Sequence, residues 1–457
     1  MQDRVRRLNS ATFRGEAKYV LYWAQMNRRV DFNHALLYAV ELANQRALPL
    51  LYYEGVTCSY LYASDRLHSF LLEGVPETER RLRKLGIGCV FHLRRKREDR
   101  DDAFYRLAAD AAAVVTDDYP AFIARCHNQN VPAKLDIPYF VVDSSCIVPM
   151  SHFTKREYAA YTIRPKIKKV LSQCLEPLPR LSVRHRFDLP IPELHTAVTE
   201  SNIAALIDSC EIDRSVQPWG AIRGGASEAE RRLKLFLDKK LSRYSGFHNE
   251  PSEKATSGLS PYLHFGHMSS LRVALAAKEF AQEHKLMADD FLEELIVRRE
   301  LAFNFARFTE RPDSLECLPD WVLKTLAKHD RDKRSPVYDR DQLEGARTHD
   351  PLWNAAQKEL LVRGKIHGYY RMYWGKKIIE WSLTHEEALA SMIYMNDRYA
   401  LDGRDPNGYT NILWCFGLHD RPWGERPIFG MIRYMSYEGM RRKTDVDAYI
   451  REMEQLG

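Results

Sequence analysis

The chain has 457 residues, 45% of them hydrophobic and 28% charged, enough length and apolar content for two or three domains with cores of their own. Its 68 basic and 62 acidic residues leave a formal charge of +6, which permits a polyanionic partner without demanding one. No apolar run reaches the roughly 18 residues of a membrane helix, and the N-terminal Met1-Gln-Asp-Arg-Val-Arg-Arg has no apolar stretch behind it, so it is not a secretory signal.

In chain order, short apolar runs at 19–23, 49–53, 88–92, 113–116 and 138–142 read as strands. Amphipathic stretches at 33–46, 61–85 and 101–111 read as helices between them. Buried strands alternating with helices predict an α/β domain over 1–145, a doubly wound parallel sheet with helices on both faces. Ligands of such sheets sit beyond the carboxyl ends of the strands, but this half has no G-x-G-x-x-G and the chain has no P-loop. Residues 146–200, rich in proline and with basic clusters at 164–169 and 184–186, read as a connector laid over the surface with a solvated charged face. From 201 to 457 the pattern predicts an all-α domain, with helices near 229–244, 270–284, 287–308, 351–361, 366–382 and 384–396. The eight cysteines form no C-x-x-C pair and read as reduced, mostly buried thiols of an intracellular protein.

Four segments carry candidate chemistry. Thr256-Ser257-Gly258-Leu259-Ser260-Pro261 combines hydroxyls, a glycine and a helix start, a turn able to cradle a pyrophosphate; the plainer reading is Ser260 as N-cap before Pro261. In the 287–308 helix Glu294 and Arg298 stand four apart on one face, a surface ion pair or a carboxylate and guanidinium lining a pocket. Trp374 and Trp381 are seven apart, about 10 Å along a helix axis, and with Trp353 they are either core or a path for electrons. The stretch 396–426 is dense in Asn, Asp, Gly, Pro and Arg and reads as turns rather than helix. Its Trp414 and Trp423 beside arginines suit stacking on bases and pairing with phosphate.

Taken together, His349-Asp-Pro-Leu-Trp353-Asn, Gly364-Lys-Ile-His-Gly-Tyr-Tyr-Arg371-Met372-Tyr-Trp374-Gly-Lys-Lys and Asn396-Asp-Arg-Tyr-Ala-Leu-Asp402-Gly-Arg-Asp-Pro-Asn-Gly through Arg421-Pro-Trp423-Gly-Glu-Arg resemble class II cyclobutane pyrimidine dimer DNA photolyases, of the photolyase/cryptochrome superfamily. The resemblance covers nearly the whole chain and is most specific over 349–442. It implies an α/β antenna domain and a helical domain that holds FAD in a U shape, whose photoexcited reduced form passes one electron to the dimer. It also implies that Tyr244 and Thr256, Ser257, Gly258, Leu259 and Ser260 hold the flavin phosphates and ribityl chain. Asn396 would sit at the flavin N5 edge, and Arg371 and Asp402 would pair beside the isoalloxazine. Glu294 would hydrogen-bond the thymine carbonyls, Met372 would pack on the dimer, and Trp374, Trp353 and Trp381 would relay electrons, with Trp374 innermost and Trp381 outermost. Trp414 would wall the flipped dimer, Arg421 and Trp423 would fill the gap in the duplex, and Arg433, Arg441, Arg442 and Lys443 would meet phosphates, with His248 and Arg298 also near the DNA. The partner implied is UV-damaged DNA bound by a monomer, without metal or membrane. A deazaflavin, a folate or nothing would occupy the antenna domain.

The chain departs from the family pattern at His248, where an arginine is expected, at Phe303, where relatives often carry a polar residue, and at Arg298 and Arg299, where distant photolyases place a tryptophan. These departures bear on lesion contact rather than on the flavin site. The alternative within the same superfamily is a photosensory, cryptochrome-like flavoprotein without repair; a sensor often adds a long tail, whereas this chain ends soon after Lys443. A flavin oxidoreductase working in the dark is disfavoured by the missing nicotinamide fingerprint.

Overall fold

In a computed structural model, which describes residues 1–456, the first part of the chain forms a six-stranded sheet in the order β1-β6-β5-β2-β3-β4. The strands are β1 (Val5–Arg7), β2 (Tyr19–Trp23), β3 (Leu50–Thr57), β4 (Gly88–Arg94), β5 (Ala111–Asp117) and β6 (Tyr139–Val142). Strands β2 to β6 pair in parallel, with Tyr22 opposite Tyr52 and Val115. The three residues of β1 run antiparallel to β6 at the edge, so the sheet is mixed. The sequence alone missed β1 because its Val-Arg-Arg is too short and too charged to read as a strand. Alternation along β2 sends Val20 and Tyr22 into one core with the His34–Gln45 helix, and Tyr19, Leu21 and Trp23 into another with the Ala103–Ala108 helix.

The sheet order reverses between β2 and β5, the position where such sheets bind ligands. Here Asp117 ties down the loop that follows β2. Asp117, at the end of β5, accepts hydrogen bonds from the backbone N–H groups of Gln25, Met26 and Asn27 at 3.0, 2.7 and 3.0 Å. A carboxylate thus takes the amides that a phosphate would otherwise use.

Several helices differ from expectation. The 61–85 helix is two, Asp65–Leu72 and Val75–Leu85, because Pro76 has no N–H to donate and suits only the first turn of the second helix. The 146–200 connector contains a 15-residue helix, Ala160–Cys174, so its basic cluster at 164–169 lies on a helix, while that at 184–186 does not. The 229–244 helix divides into Ala226–Lys239 and Leu241–Phe247. Within 396–426, Pro406–Cys415 is a helix. Its Asp405-Pro406 start, read as a turn, is an N-cap followed by proline, and Asp405 accepts from Asn407 N–H at 2.9 Å.

By packing, the chain divides into two compact units. One comprises 1–154, 167–234 and 258–283; the other comprises 155–166, 235–257 and 284–457. These packing units are not the segments 1–145, 146–200 and 201–457 read from sequence, which remain a proposal about domains. The second unit is helical, and none of the named strands falls in it.

Candidate functional site

The Asp289–Leu292 helix does not run on regularly. Residues Glu293–Arg298 form a π-turn before α-helix resumes at Arg299–Arg307. Such bulges insert an extra residue and re-aim side chains, and they recur at functional sites. The register change decides the pairing here. Arg298 reaches Glu293, five residues away, at 3.7 Å, and Glu293 also takes Arg164 at 2.6 Å. The Glu294–Arg298 surface pair expected from four-residue spacing is therefore not formed, and Glu294 makes no ion pair among the described residues.

Glu294 is open to solvent along one side yet recessed among neighbouring atoms, and this enclosure pushes its pKa up. The charges of Arg298 and His248 oppose the rise. Next to it, Tyr244 is buried between Phe236 and Phe291, with the His248 ring stacked on it at 4.8 Å. The His248 ring also bonds the Tyr244 carbonyl at 2.9 Å. Tyr244, His248, Glu294 and Arg298 thus gather at one place in the second unit.

A second group forms where the Gly368–Trp381 and His385–Tyr399 helices meet the 400–408 turn. Arg371 and Asp402 pair at 3.0 Å, their side chains only 14% and 13% exposed. Asn396 is buried and donates to Asp397 at 3.0 Å. Asp397 in turn accepts from Tyr409 Oη at 2.7 Å and Arg404 N–H at 2.9 Å. Gly403 and Gly408 press on Asn396: a Cβ at Gly403 would come within 2.7 Å of the Asn396 carbonyl, and one at Gly408 within 3.2 Å of its amide nitrogen. Sequence reading named Asn396 but not the Asp397–Tyr409 support that fixes its rotamer; the only signal was an acidic residue beside it.

The three tryptophans are all buried. Trp353 and Trp374 lie nearly parallel with centroids 6.5 Å apart, and Trp353 meets Trp381 edge-on at 5.8 Å. Trp353 therefore stands between the two residues of the Gly368–Trp381 helix. Its indole donates to the Trp374 carbonyl at 3.0 Å, and the Trp374 indole donates to Gln357 at 2.8 Å. The Trp381 ring is covered by Tyr338 at 5.4 Å and His349 at 5.2 Å. Met372 borders solvent near Cys415, whose thiol lies 4.0 Å from the Met372 sulfur. Sequence reading also passed over Lys376, which is buried, donates to the Cys415 carbonyl at 2.5 Å and is pushed down to about 8 by burial.

In the 256–260 turn Gly258 has φ +70°, and a Cβ there would meet nothing within 4 Å. The Thr256 carbonyl accepts from Lys240 at 3.2 Å. Leu259, not Ser260, is the N-cap, and the helix that follows, Ser260–His264, is a single turn. Helix-dipole help for an anion is small in so short a helix, so backbone N–H groups and hydroxyls carry the cradle.

Trp414 is half-buried at the end of Pro406–Cys415, with the Arg298 guanidinium 5.9 Å from its ring. Trp423 is 40% exposed, flanked by Arg421 at 5.3 Å and Arg433 at 5.1 Å. Arg441, Arg442 and Lys443 are exposed, and Arg441 pairs with Asp447 at 3.1 Å. Phe303 is fully buried beneath Arg299, a packing position rather than a surface one. In the first unit, a cavity of about 380 Å³ lined by Arg29, Arg81, Glu77, Glu230 and Arg272 contains none of the expected site residues, and Arg81 and Arg272 are paired to carboxylates along it. No helix is long and apolar enough to cross a membrane, and no cluster of metal-ligating side chains occurs among the described residues.

A DNA photolyase family profile matches residues 20–182. The chain is 41% identical to a deoxyribodipyrimidine photo-lyase of Methanothermobacter thermautotrophicus, over 98% of this chain and 97% of that one. It is 39% identical to one of Arabidopsis thaliana (96% and 89% covered) and 37% identical to one of Potorous tridactylus (96% and 82% covered). The fold also resembles a class III photolyase of Agrobacterium tumefaciens, with a TM-score of 0.69 at 18% identity over 97% and 88% of the two chains. It matches a Synechocystis cryptochrome with a TM-score of 0.71 at 15% identity over 95% and 88%. With identity of this order running along nearly its whole length, the chain belongs to the deoxyribodipyrimidine photo-lyase family of the photolyase/cryptochrome superfamily.

Proposed function

We propose that the protein repairs cyclobutane pyrimidine dimers in DNA with light, as a class II photolyase. The observation that carries this reading is the joint presence of a recessed Glu294 with a raised pKa, a buried Arg371–Asp402 pair and a contiguous stack of three tryptophans, in a chain 41% identical to a photo-lyase end to end.

The residues suit FAD. Gly258, at positive φ with open space above it, lets backbone approach a pyrophosphate, and Thr256, Ser257, Ser260 and Tyr244 add hydroxyls. Arg371 and Asp402 together offer donors and an acceptor to the edge of an isoalloxazine, and the Arg371 charge favours an anionic ring. Asn396, clamped by Asp397, presents an amide to the ring edge. A bound FAD supplies light absorption and the transferable electron. A deazaflavin or folate antenna would belong to the α/β region. An archaeal photolyase of Sulfolobus tokodaii with the same fold is described as holding two FAD molecules, one implicated in light harvesting.

This chain's own groups then act on the lesion. Glu294, whose pKa burial raises, hydrogen-bonds the thymine carbonyls, where negative charge develops. Met372 and Trp414 pack the extruded pair, and a damaged, poorly stacked pair costs less to extrude than a sound one. Arg421 and Trp423 enter the space left in the duplex, and Arg433, Arg441, Arg442 and Lys443 meet phosphates, so binding weakens with salt. Trp381, Trp353 and Trp374, in that order, carry electrons inward. The protein works as a monomer where the DNA is, inside the cell.

The test is repair of a dimer-containing oligonucleotide by FAD-loaded, chemically reduced protein under blue light. Full reduction with no repair would transfer the reading to the photosensory alternative.

A further inference from the structure

Among its exposed aromatic rings the second unit carries a pair three residues apart in sequence, on a segment the lesion site does not use. Tyr158 is 44% exposed and Tyr161 is 64% exposed. Their rings meet edge-on with centroids 6.3 Å apart, which leaves one face of Tyr161 open. Tyr158 is held from two sides. Its hydroxyl accepts from the Trp321 indole at 3.2 Å, and its carbonyl bonds His419 at 2.6 Å. Trp321 packs on Gly417, where a Cβ would come within 3.2 Å of the indole. Tyr158 is therefore fixed to the 417–423 segment that carries Arg421 and Trp423, and Tyr161 packs on Tyr158.

The charge around them is predominantly positive. Residues 155–166 contain Lys155, Arg156, Arg164 and Lys166 against the single acid Glu157. Lys166 pairs with Glu157 and Arg164 with Glu293. Lys155 is exposed, and Arg156 lies over Phe305 at 4.7 Å, with its guanidinium donating to the Cys317 carbonyl at 2.8 Å. Neither meets a carboxylate among the described residues. Arg298, over Trp414 and shared with Glu293 at 3.7 Å, adds a further cation. Open aromatic faces set among cations suit a nucleic-acid strand, whose bases stack while its phosphates pair. An apolar peptide groove would lack the uncompensated charge.

We propose that Tyr158 and Tyr161 form a stacking platform for an unstacked nucleobase of the bound DNA, beside the lesion pocket. This rests on the DNA-repair reading only for its substrate, and its test needs neither light nor a lesion.

The experiment is binding of the full-length protein to an undamaged single-stranded oligonucleotide, followed by anisotropy across a salt series. Loss of one aromatic stack costs roughly 5-fold or more in affinity, so Tyr161→Leu should bind that much more weakly with the same salt slope. Tyr161→Phe, which keeps the ring, should bind like the parent. Lys155→Gln should lower the slope by about 0.7, the single-strand value for one phosphate contact. Tyr161 is largely exposed, so its replacement leaves the fold intact. Parent-like binding by Tyr161→Leu would overturn the platform, as would a loss expressed only in the salt slope. A protein that fails to repair dimers but shows the Tyr161 effect would retain the platform and lose the repair assignment.

Discussion

Breaking the Arg371–Asp402 pair tests whether the centre of the helical unit is organised by charge. At 3.0 Å, with an effective dielectric constant of about 20, the direct attraction is about 5.5 kcal/mol. Desolvation of two groups that are each less than 15% exposed takes back much of that. The net worth of the pair is therefore small, but removing one partner takes the opposing charge from the other's largely buried group. We expect Asp402→Asn and Arg371→Met each to lose about 3 kcal/mol, at the low end for a buried pair because some solvent reaches both side chains. The double variant should lose less than the sum, with a coupling of at least about 1 kcal/mol. Urea unfolding of the protein without FAD, followed by far-UV circular dichroism, measures the cycle. FAD retention on gel filtration gives a second readout, in which Arg371→Met should release the cofactor more readily than the parent. Strictly additive single variants, within about 0.5 kcal/mol, would refute an organising ion pair and reduce Arg371 to a packing residue.

Other outcomes follow from the same geometry. Trp353→Phe, which interrupts the stack between Trp374 and Trp381, should abolish photoreduction under blue light while chemically reduced protein repairs at the parental rate; Trp374→Phe should do the same. Loss of repair in the reduced variants would remove these residues from a relay role. Glu294→Gln keeps a hydrogen-bond donor and should retain far more repair than Glu294→Ala. Because the Glu294 carboxyl titrates above its ordinary value, repair by the parent should fall as pH rises through that raised pKa, and Glu294→Gln should lack this limb. Gly375→Ala would place a Cβ 2.5 Å from the Cys415 sulfur and 3.2 Å from that of Met392, and should cost about 1–3 kcal/mol in thermal or urea unfolding. His329 is bonded to Glu425 at 2.9 Å and Asp332 at 2.6 Å, and these bonds raise its pKa. A raised histidine pKa stabilises fully below the unfolded value of about 6.5 and is lost as pH rises through the folded value. The 420–433 segment should then become more protease-sensitive above that window in the parent, and a His329→Gln variant should show little change across it.

Much of the α/β region was legible from sequence, because strands such as Tyr19–Trp23 are uninterrupted apolar runs too short for helices and alternate with amphipathic stretches. The helices at Ser270–His284, Pro351–Arg363 and Gly368–Trp381 were legible for the matching reason at 3.6 residues. Local chemistry misled at Asp405-Pro406, where the residues that start a helix are also those that make a turn. The family resemblance carried by the motifs 349–376 and 396–426 implied that Arg371, Asn396 and Asp402 act together. Three-dimensional packing settled what spacing could not. It placed Trp353 between two tryptophans of another helix, moved Arg298 from Glu294 to Glu293 through a π-turn, and clamped Asn396 with Asp397 and Tyr409. Hydrophobic period and turn chemistry act within a few residues and so are written along the chain. The rotamer of a side chain, the partner of a charge and the neighbour of a ring depend on elements tens of residues away, and only their packing decides them.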